Sequence, residues 1–470
     1  MGMGCGSGGK DLAMTSAVQA LRLPIFGVLD RLLRGDCDTA KAQRGAAFAF
    51  AIRVASAAIA YFSQVLLARW MGAFEFGVFA YVWVFVLILG GLSTIGLNTS
   101  VLRFLPEYRQ KGEWALFRGF LDGSRLVSFG VATVIMGAGI AITWSLHGVI
   151  EDYYLIPLVI AFACLPGYAI TDIQDGISRS QSWIDLALVP PYIMRPLLLL
   201  VFLGAAVWAG LPANALTALS AALAAIYLTT VVQVVIMGRR FGKIVPAGAR
   251  AYRMPLWLKV SVPILIMHSF YMVMQHVDVL VLNIYVPPSE LAIYYAAIKT
   301  TSLIAFVHFA VTAAYSARFS EYHSSGRHGE LASHVHDAVK WAFWPSLLAA
   351  AGILSLGMPL LWLFGPEFTS GYPVMFILAA GLLVRAAIGP GEALLSILGQ
   401  QNVCAAIMFV TLIANVAMNF ALIPRYGLAG AAVATAGSIM IESVFLFVVI
   451  KSRLGLHAFI IGGKSLDDTG

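Results

Sequence analysis

Four basic side chains lie inside long apolar stretches of this chain, where a charge is costly. They are Arg53, Arg195, Lys299 and Arg385. An ionisable group near the centre of a bilayer costs roughly 2.5–3.5 kcal/mol on insertion scales, so its position in such a stretch suggests a function. A guanidinium presents a planar fork that matches phosphate oxygens. The four residues are therefore candidates for binding an anionic group.

Each of these cations also has a structural alternative. Arg53 lies close enough to the end of its apolar stretch to snorkel to the headgroups. Arg195 lies deeper and between prolines, which makes snorkelling less favourable. Arg385 and Glu392 are seven residues apart and share a helix face, so they could neutralise each other.

Two apolar stretches carry a polar stripe at helical spacing, which would present aromatic and hydrogen-bonding groups to a cavity. The first stripe comprises His268, Tyr271, Gln275 and Asp278. The second comprises Tyr295, Lys299 and Ser302. The structural alternative is a buried pair between Asp278 and Lys299 that ties adjacent helices together. Glu442 and His308 are isolated polar groups, for which an interhelical hydrogen bond is the favoured interpretation.

Proline and glycine interrupt two of the apolar stretches at corresponding points. Proline removes a backbone donor and glycine loosens a helix, so these sites are candidate kinks or hinges. The residues concerned are Pro166, Gly167, Gly389, Pro390 and Gly391.

The composition explains what surrounds these residues. Of the 470 residues, 60% are hydrophobic and 11% are charged, and the mean hydropathy is +0.86. A soluble domain is about 45–50% apolar and about 25% charged. The four cysteines are scattered, and no Cys/His cluster predicts a metal site or a dithiol centre. The composition therefore indicates a polytopic membrane protein.

A helix needs about 20 mainly apolar residues to cross the hydrocarbon. Twelve such stretches are found, and none shows the alternation of a β-barrel strand. They cover residues 46–67, 77–98, 126–146, 153–171, 187–209, 213–237, 260–284, 291–316, 341–363, 372–396, 402–423 and 428–450.

Lysine and arginine predict the orientation. With both termini in the cytoplasm, 24 of the 30 basic residues fall in cytoplasmic segments, and only Arg69 and Arg425 fall in outer loops. The net charge of +7 is therefore explained by topology and anionic headgroups, and nucleic acid is not an expected partner.

The first 45 residues are expected to form a cytoplasmic tail, because no continuous apolar core of a secretory signal precedes a cleavage site. Within the tail, residues 12–34 place aliphatic side chains near one face and arginines beside them. This pattern is compatible with an amphipathic surface helix, and a partly disordered tail is the alternative.

Three short matches recur at offsets of about 215–224 residues, and each joins one span to the span six places later. They predict an all-α fold of two pseudo-symmetric six-helix lobes around a central cavity. The N-terminal lobe covers residues 46–238 and the C-terminal lobe residues 260–450. Residues 239–259 form a basic cytoplasmic linker, and residues 451–470 form a cytoplasmic tail.

Several segments resemble a known family. Those in the first half are Leu67-Ala68-Arg69-Trp70-Met71-Gly72 and Phe76-Gly77-Val78-Phe79-Ala80-Tyr81, followed by Gly96-Leu97 and Arg103. Those in the second half are Asp278, Tyr294, Ala296, Leu363-Phe364-Gly365-Pro366-Glu367-Phe368 and Asn415 through Thr435. Together they resemble the bacterial polysaccharide exporters, the oligosaccharide-flippase branch of the multidrug/oligosaccharidyl-lipid/polysaccharide flippase superfamily.

The resemblance implies a multi-pass flippase of the bacterial inner membrane that serves surface polysaccharide biosynthesis. It would move undecaprenyl-diphosphate-linked repeat units outward by alternating access. The four cations would bind the diphosphate, and the two polar stripes together with Glu392 would offer groups suited to sugar hydroxyls and to ion coupling. No cofactor is expected beyond a coupling ion, H⁺ or Na⁺. The expected partners are the lipid-linked oligosaccharide, the bilayer and other polysaccharide-assembly proteins of the membrane, and the chain is expected to be a monomer.

Three other functions compete with this one. An organic-cation antiporter of the same superfamily should have an acidic cavity, whereas the spans hold four basic and three acidic residues. A peptidoglycan-precursor flippase usually has two more spans. A polymerase or ligase usually carries a large outer loop, but the longest one here, residues 363–372, has no catalytic pair. The sequence therefore predicts a transporter rather than an enzyme.

Overall fold

A computed structural model describes residues 38–325 and 327–460, which are helical and contain no strand. The amphipathic helix expected over residues 12–34 lies outside them. The helices of the first half are α1 (Asp38–Leu92), α2 (Leu97–Lys111), α3 (Trp114–Ser145), α4 (Asp152–Ser180), α5 (Ile184–Val189), α6 (Arg195–Trp208) and α7 (Ala215–Ile244).

The second half repeats this organisation. Its helices are α8 (Met254–Met274), α9 (Val277–Tyr285), α10 (Pro288–Ser324), α11 (His328–Ser355), α12 (Gly357–Trp362), α13 (Tyr372–Ile388), α14 (Gly391–Ile397) and α15 (Gln401–Leu454). By packing, the chain divides into a unit that ends at Ser56 and a unit that begins at Ala57 and contains the rest of the helices.

Two helices are too long to be single membrane crossings. At about 1.5 Å per residue, the 55 residues of α1 would extend about 80 Å, whereas the hydrocarbon is about 30 Å thick. Each helix bends at a glycine with positive φ, namely Gly72 (φ 77°) in α1 and Gly427 (φ 54°) in α15.

The chain reverses direction at both glycines. In α15, the Asn415 side-chain amide on one arm donates to Ser438 Oγ on the other at 2.8 Å. In α1, Tyr61 and Phe76 on opposite sides of the bend both contact the Phe364 ring, with centroids 5.6 and 6.3 Å away. Ten helical segments of the described chain are long and apolar enough to span a membrane, and the two reversals raise the number of crossings to the predicted twelve.

The internal repeat is visible in the backbone. Gly210, in the turn between α6 and α7, and Gly427, in the bend of α15, both have positive φ, at 92° and 54°. They occupy corresponding places before the last span of each half. The predicted all-α fold of two six-helix lobes is therefore confirmed.

Pro166 and Gly167, predicted as a candidate kink or hinge, lie inside the continuous helix α4. The Gly167 carbonyl accepts hydrogen bonds from the Thr171 and Thr230 hydroxyls at 3.1 and 3.0 Å. The corresponding point of the second half is a true break. There Gly389, with φ 67°, separates α13 from α14.

The polar stripe over residues 268–278 was predicted to lie on one continuous helix, but the structure divides it between two helices. Helix α8 ends at Met274, and Gln275 and His276 form a turn before α9 begins. The turn changes the direction in which the later side chains point, so His268 packs beside Gly91 of the N-terminal lobe while Asp278 lies in the C-terminal lobe.

Candidate functional site

A chamber of about 590 Å³ lies between the two lobes, and we call it the interlobe chamber. Its walls come from both arms of α1, from the start of α6 and from the middle of α10. It contains two of the four predicted cations, Arg195 from the first lobe and Lys299 from the second. Both lobes therefore contribute a positive charge to one cavity.

Arg195 is positioned by an unusual turn. Residues Pro190–Met194 form a single wide helical turn between α5 and α6, and Arg195 is the first residue of α6. Prolines remove backbone donors from the regular helical pattern, and such wide turns often occur at functional sites. The guanidinium carbon lies 5.0 Å from the centroid of the Tyr168 ring.

Lys299 is held in a similar way. Its Nζ lies 4.7 Å from the centroid of the Tyr295 ring, one turn earlier on α10. Among the described residues, neither Lys299 nor Arg195 forms an ion pair with a carboxylate. An aromatic face stabilises a cation without neutralising it, so both charges stay available to an anion.

The rest of the interlobe chamber is aromatic and polar. Its side chains with rings or hydrogen-bonding groups are Tyr61, Ser63, Gln64, Trp83, Tyr192, Tyr295 and Ser302. The Tyr61 hydroxyl lies 3.3 Å from Thr300 Oγ1 on α10. Amphipathic rings of this kind combine an apolar face with a polar tip, which suits a ligand such as a sugar ring.

A second chamber, of about 520 Å³, lies within the C-terminal lobe, and we call it the C-lobe chamber. Its ionisable side chains are Asp278, His308, Arg385 and Glu392. Tyr271, Gln275 and the hydroxyls of Thr301, Ser302, Thr312, Ser346, Thr435 and Ser438 also line it. It is therefore the more polar of the two cavities and the one that holds carboxylates.

Asp278 is almost fully buried and accepts three hydrogen bonds. The donors are the Tyr294 hydroxyl at 2.8 Å, the Thr435 hydroxyl at 3.2 Å and the backbone N–H of Val279 at 2.8 Å. The alternative pair with Lys299 is not formed, because Lys299 lies over Tyr295 in the other chamber. Tyr294 therefore holds Asp278 from the same helix that carries Lys299.

Arg385 is shared between two carboxylates. It lies 3.4 Å from Glu392 and 4.0 Å from the buried Glu442 on α15. The predicted neutralisation by Glu392 is thus present, but it crosses the break at Gly389 rather than following one helix face. Arg385 is less available to a ligand anion than Arg195 or Lys299.

The two chambers share a wall. Ser302, Ala305 and Phe309, all on α10, line both cavities. The stripe of Tyr295, Lys299 and Ser302 thus leads from the interlobe chamber to the C-lobe chamber.

The lobes also contact each other directly at the bend of α1. The Arg69 guanidinium donates to the backbone carbonyls of Leu363 and Trp362 at 2.7 and 2.6 Å. Its carbon lies 4.6 Å from the centroid of the Trp362 ring. Gly77 approaches Pro288 so closely that a Cβ would lie 1.9 Å from the Pro288 carbonyl oxygen. This end of the interlobe chamber is closed.

Other predicted residues lie elsewhere. Arg53 belongs to the compact unit that ends at Ser56, where Ser56 Oγ donates to its carbonyl at 2.8 Å. His268 does not line either chamber. Sequence reasoning missed Tyr61 and Trp83, because an aromatic residue in an apolar span gives no sign of facing a cavity. Gln64 did carry a signal, since an amide in a membrane span needs a partner.

Comparison with known proteins gives a family model, a related flippase and several solved structures that are similar to this chain. The MatE family model matches residues 263–422, inside the C-terminal lobe. "Probable low-salt glycan biosynthesis flippase Agl15" of Haloferax volcanii is 26% identical over 168 residues, which is 36% of this chain and 36% of that protein. The match therefore spans about a third of the length of that relative.

The solved structures share the fold at low sequence identity. "Lipid II flippase MurJ, inward closed conformation" gives a TM-score of 0.70 with 14% identity, over 86% of this chain and 87% of that one. The inward-facing conformation of a multidrug resistance MATE family transporter of the MOP superfamily gives 0.67 with 14% identity, over 86% and 94%. A MOP superfamily transporter from Pyrococcus furiosus, whose title reads "Reverse polarity of binding pocket suggests different function", gives 0.62 with 16% identity, over 90% and 97%.

The chain shares its fold with these solved flippases and transporters, and the MatE family model matches part of its C-terminal lobe. It is a multi-pass membrane protein with many apolar helices, and its fold is that of the solved flippase and the solved multidrug transporter.

Proposed function

We propose that the protein is a flippase for undecaprenyl-diphosphate-linked oligosaccharide repeat units in bacterial surface polysaccharide biosynthesis. It would work in the inner membrane, with both termini cytoplasmic, and move its substrate outward by alternating access. The observation that carries the proposal is the pair of cations, Arg195 and Lys299, in the interlobe chamber with no carboxylate partner among the described residues.

Charge favours an anionic substrate in this chamber. Arg195 interacts with the carboxyl of Asp172 at a distance beyond ion pairing, and Lys299 has no carboxylate beside it among the described residues. Two cations held in this way in a cavity with apolar walls are a costly arrangement that an anion relieves. A diphosphate satisfies both charges and accepts hydrogen bonds from the guanidinium fork. The aromatic and hydroxyl groups around them suit the attached sugars. The similarity to a probable glycan biosynthesis flippase over 168 residues supports a lipid-linked glycan as the substrate class.

The closed contact at Arg69 supports alternating access. In the proposed orientation, this contact seals the outer end of the chamber while the substrate enters from the cytoplasmic leaflet. Opening would require Arg69 to leave the carbonyls of Trp362 and Leu363. The contact is made of two charge-assisted hydrogen bonds and one aromatic contact, which a bound substrate could exchange for its own interactions.

Export of a diphosphate needs energy. Moving one negative charge outward against an inside-negative potential costs about 2.3 kcal/mol per 100 mV. An inward-moving H⁺ or Na⁺ could supply this work, and Asp278 is the proposed carrier. Its carboxylate lies in the C-lobe chamber, and the hydroxyls that hold it come from α10 and α15, so a change of its charge would reach both helices.

The test is binding of farnesyl diphosphate to the purified full chain in detergent. We expect Arg195→Ala and Lys299→Ala each to weaken binding by about tenfold or more, the effect of losing a hydrogen bond to a charged group. Arg425→Ala is the matched control, because Arg425 is exposed and lies outside both chambers, and its affinity should equal that of the wild type. Equal affinities for all four proteins would refute the proposal.

The second candidate is an organic-cation antiporter, which the MatE match and the carboxylates of the C-lobe chamber favour. Tetraphenylphosphonium is the corresponding probe. If it binds tightly, and if Glu392→Gln weakens this binding while farnesyl diphosphate does not bind, the antiporter is the better description.

A further inference from the structure

The C-lobe chamber and the interlobe chamber have opposite electrostatic character. In the interlobe chamber the ionisable groups are Arg195 and Lys299. The C-lobe chamber is lined by Asp278 and Glu392, and its one lining cation, Arg385, lies between Glu392 and the buried Glu442. The interlobe chamber is therefore lined by cations alone, whereas carboxylates outnumber the one paired guanidinium at the C-lobe chamber.

The two carboxylates beside Arg385 have acceptor capacity left over; Glu392 lines the C-lobe chamber, whereas Glu442 is buried outside its wall. Glu442 is 2% exposed, and its Oε2 has no hydrogen-bond partner among the described residues. Glu392 lines the cavity, and its single contact with the Arg385 guanidinium is long, at 3.4 Å. An ionised carboxylate can only accept hydrogen bonds, so this chamber needs a ligand that donates them.

Sugar hydroxyls and amines are such donors, whereas the carboxylate of a uronate only accepts hydrogen bonds. A ligand carboxylate in this cavity would face Asp278 and Glu392, while Arg385 is already engaged by Glu392 and Glu442. Like charges brought together in a poorly solvated cavity repel each other, and this repulsion acts against an acidic ligand.

The shared wall places the two chambers within reach of one substrate. In a lipid-linked repeat unit the first sugar is bonded directly to the diphosphate, so it must lie next to the site that holds the phosphates. Ser302, three residues after Lys299 on α10, lines both chambers.

We infer that the C-lobe chamber binds the sugars nearest the diphosphate and selects repeat units in which these sugars are neutral or basic, not acidic. This inference rests on the proposed flippase function and deepens it. Glu392 is the specificity-determining residue, because it is the half-exposed carboxylate of the cavity.

The experiment compares three probes on the purified full chain: farnesyl diphosphate, its α-N-acetylglucosaminyl conjugate and its α-glucuronosyl conjugate. We expect the N-acetylglucosaminyl conjugate to bind about tenfold more tightly than farnesyl diphosphate, as two to three new hydrogen bonds would give. The glucuronosyl conjugate should bind no more tightly than farnesyl diphosphate.

Glu392→Gln removes one negative charge, keeps the shape and releases Arg385 from one partner. It should reduce the preference for N-acetylglucosamine over glucuronate by about tenfold or more. Glu367→Gln, at an exposed glutamate outside both chambers, is the matched control and should keep the wild-type preference. The melting temperature of each variant shows that it is folded, and if Glu392→Gln is not, Tyr271→Phe serves as the second variant and should weaken binding of the N-acetylglucosaminyl conjugate.

The outcomes separate the inference from the proposed function. If farnesyl diphosphate binds through Arg195 and both conjugates bind equally well, the inference is wrong and the flippase proposal stands. If farnesyl diphosphate itself does not bind, both are wrong.

Discussion

At the scale of single residues, the interlobe cations act against stability. Lys299 is half-buried and faces an aromatic ring instead of a carboxylate. A cation without a counterion in apolar surroundings destabilises the free protein, and functional sites commonly carry such a cost.

Lys299→Met should therefore make the protein more stable and less functional. Methionine keeps the length of the side chain and its contact with the Tyr295 ring but removes the charge. We expect the melting temperature of the ligand-free protein to rise and farnesyl diphosphate binding to fall. A lower melting temperature would show that the charge is compensated in the free protein.

Asp278 allows a test of coupling at the same scale. Asp278→Asn keeps the shape and can still accept from Tyr294 and Thr435, but it can no longer change its charge. In proteoliposomes we expect substrate binding to persist and transport to lose its response to an imposed pH or Na⁺ gradient. A variant with the wild-type gradient dependence would make Asp278 a structural residue.

At the scale of elements, single glycines reverse the direction of α1 and α15. Gly72 has φ 77° and ψ 171°, a region that only glycine adopts readily, while a Cβ there would meet nothing within 4 Å. Glycine is therefore required at residue 72 by the backbone conformation and not by lack of space for a side chain.

Gly72→Ala should destabilise the protein by about 1–3 kcal/mol, the cost of an L-residue in such a conformation. Gly130→Ala is the matched control, because Gly130 also has open space around it but lies inside α3. Alanine is favoured in a helix, so this variant should be at least as stable as the wild type. Thermal melting of both measures the difference, and equal losses would contradict the conformational explanation.

At the scale of the whole molecule, the Arg69 contact joins the lobes at one end of the interlobe chamber. Arg69→Ala removes both hydrogen bonds to the carbonyls of Trp362 and Leu363 and leaves the two backbones in place. The closed state should lose population to states that are open at this end.

A cysteine at Thr300 reports this shift, because Thr300 is fully buried beside Tyr61. With the natural cysteines replaced, labelling by a membrane-impermeant maleimide should be faster in Arg69→Ala than in the parent. Arg425→Ala, in another predicted outer loop, should leave the rate unchanged. An unchanged rate in Arg69→Ala would mean that the contact does not control opening.

The orientation is a second prediction at this scale. In intact cells, single cysteines at residues 148–152 and 364–370 should react with the impermeant reagent, and those at 245–250 should react only after permeabilisation. The physical basis is the distribution of lysine and arginine, since basic loops stay on the cytoplasmic side. Labelling of residues 245–250 in intact cells would show that the predicted orientation is wrong.

The sequence by itself determined the number of crossings, the all-α class and the two-lobe repeat, because these follow from local composition. A stretch of about twenty apolar residues forms a helix in lipid because its backbone polar groups must be satisfied within the segment. The presence of charges in the spans was equally visible. Because a charge in a membrane span usually faces the interior or a cavity, some of these side chains were expected to line one.

Only the tertiary structure decided which charges share a cavity and which are neutralised. Arg195 and Lys299 are more than a hundred residues apart, and the packing of the two lobes brings them into one chamber. The break at Gly389 turns Glu392 back toward Arg385, and the turn at Gln275 directs Asp278 to Tyr294 and Thr435 instead of Lys299. Helical spacing fixes the angle between residues of one helix. It carries no information on which helix lies opposite, so the partners of a buried charge depend on the packing of the whole chain.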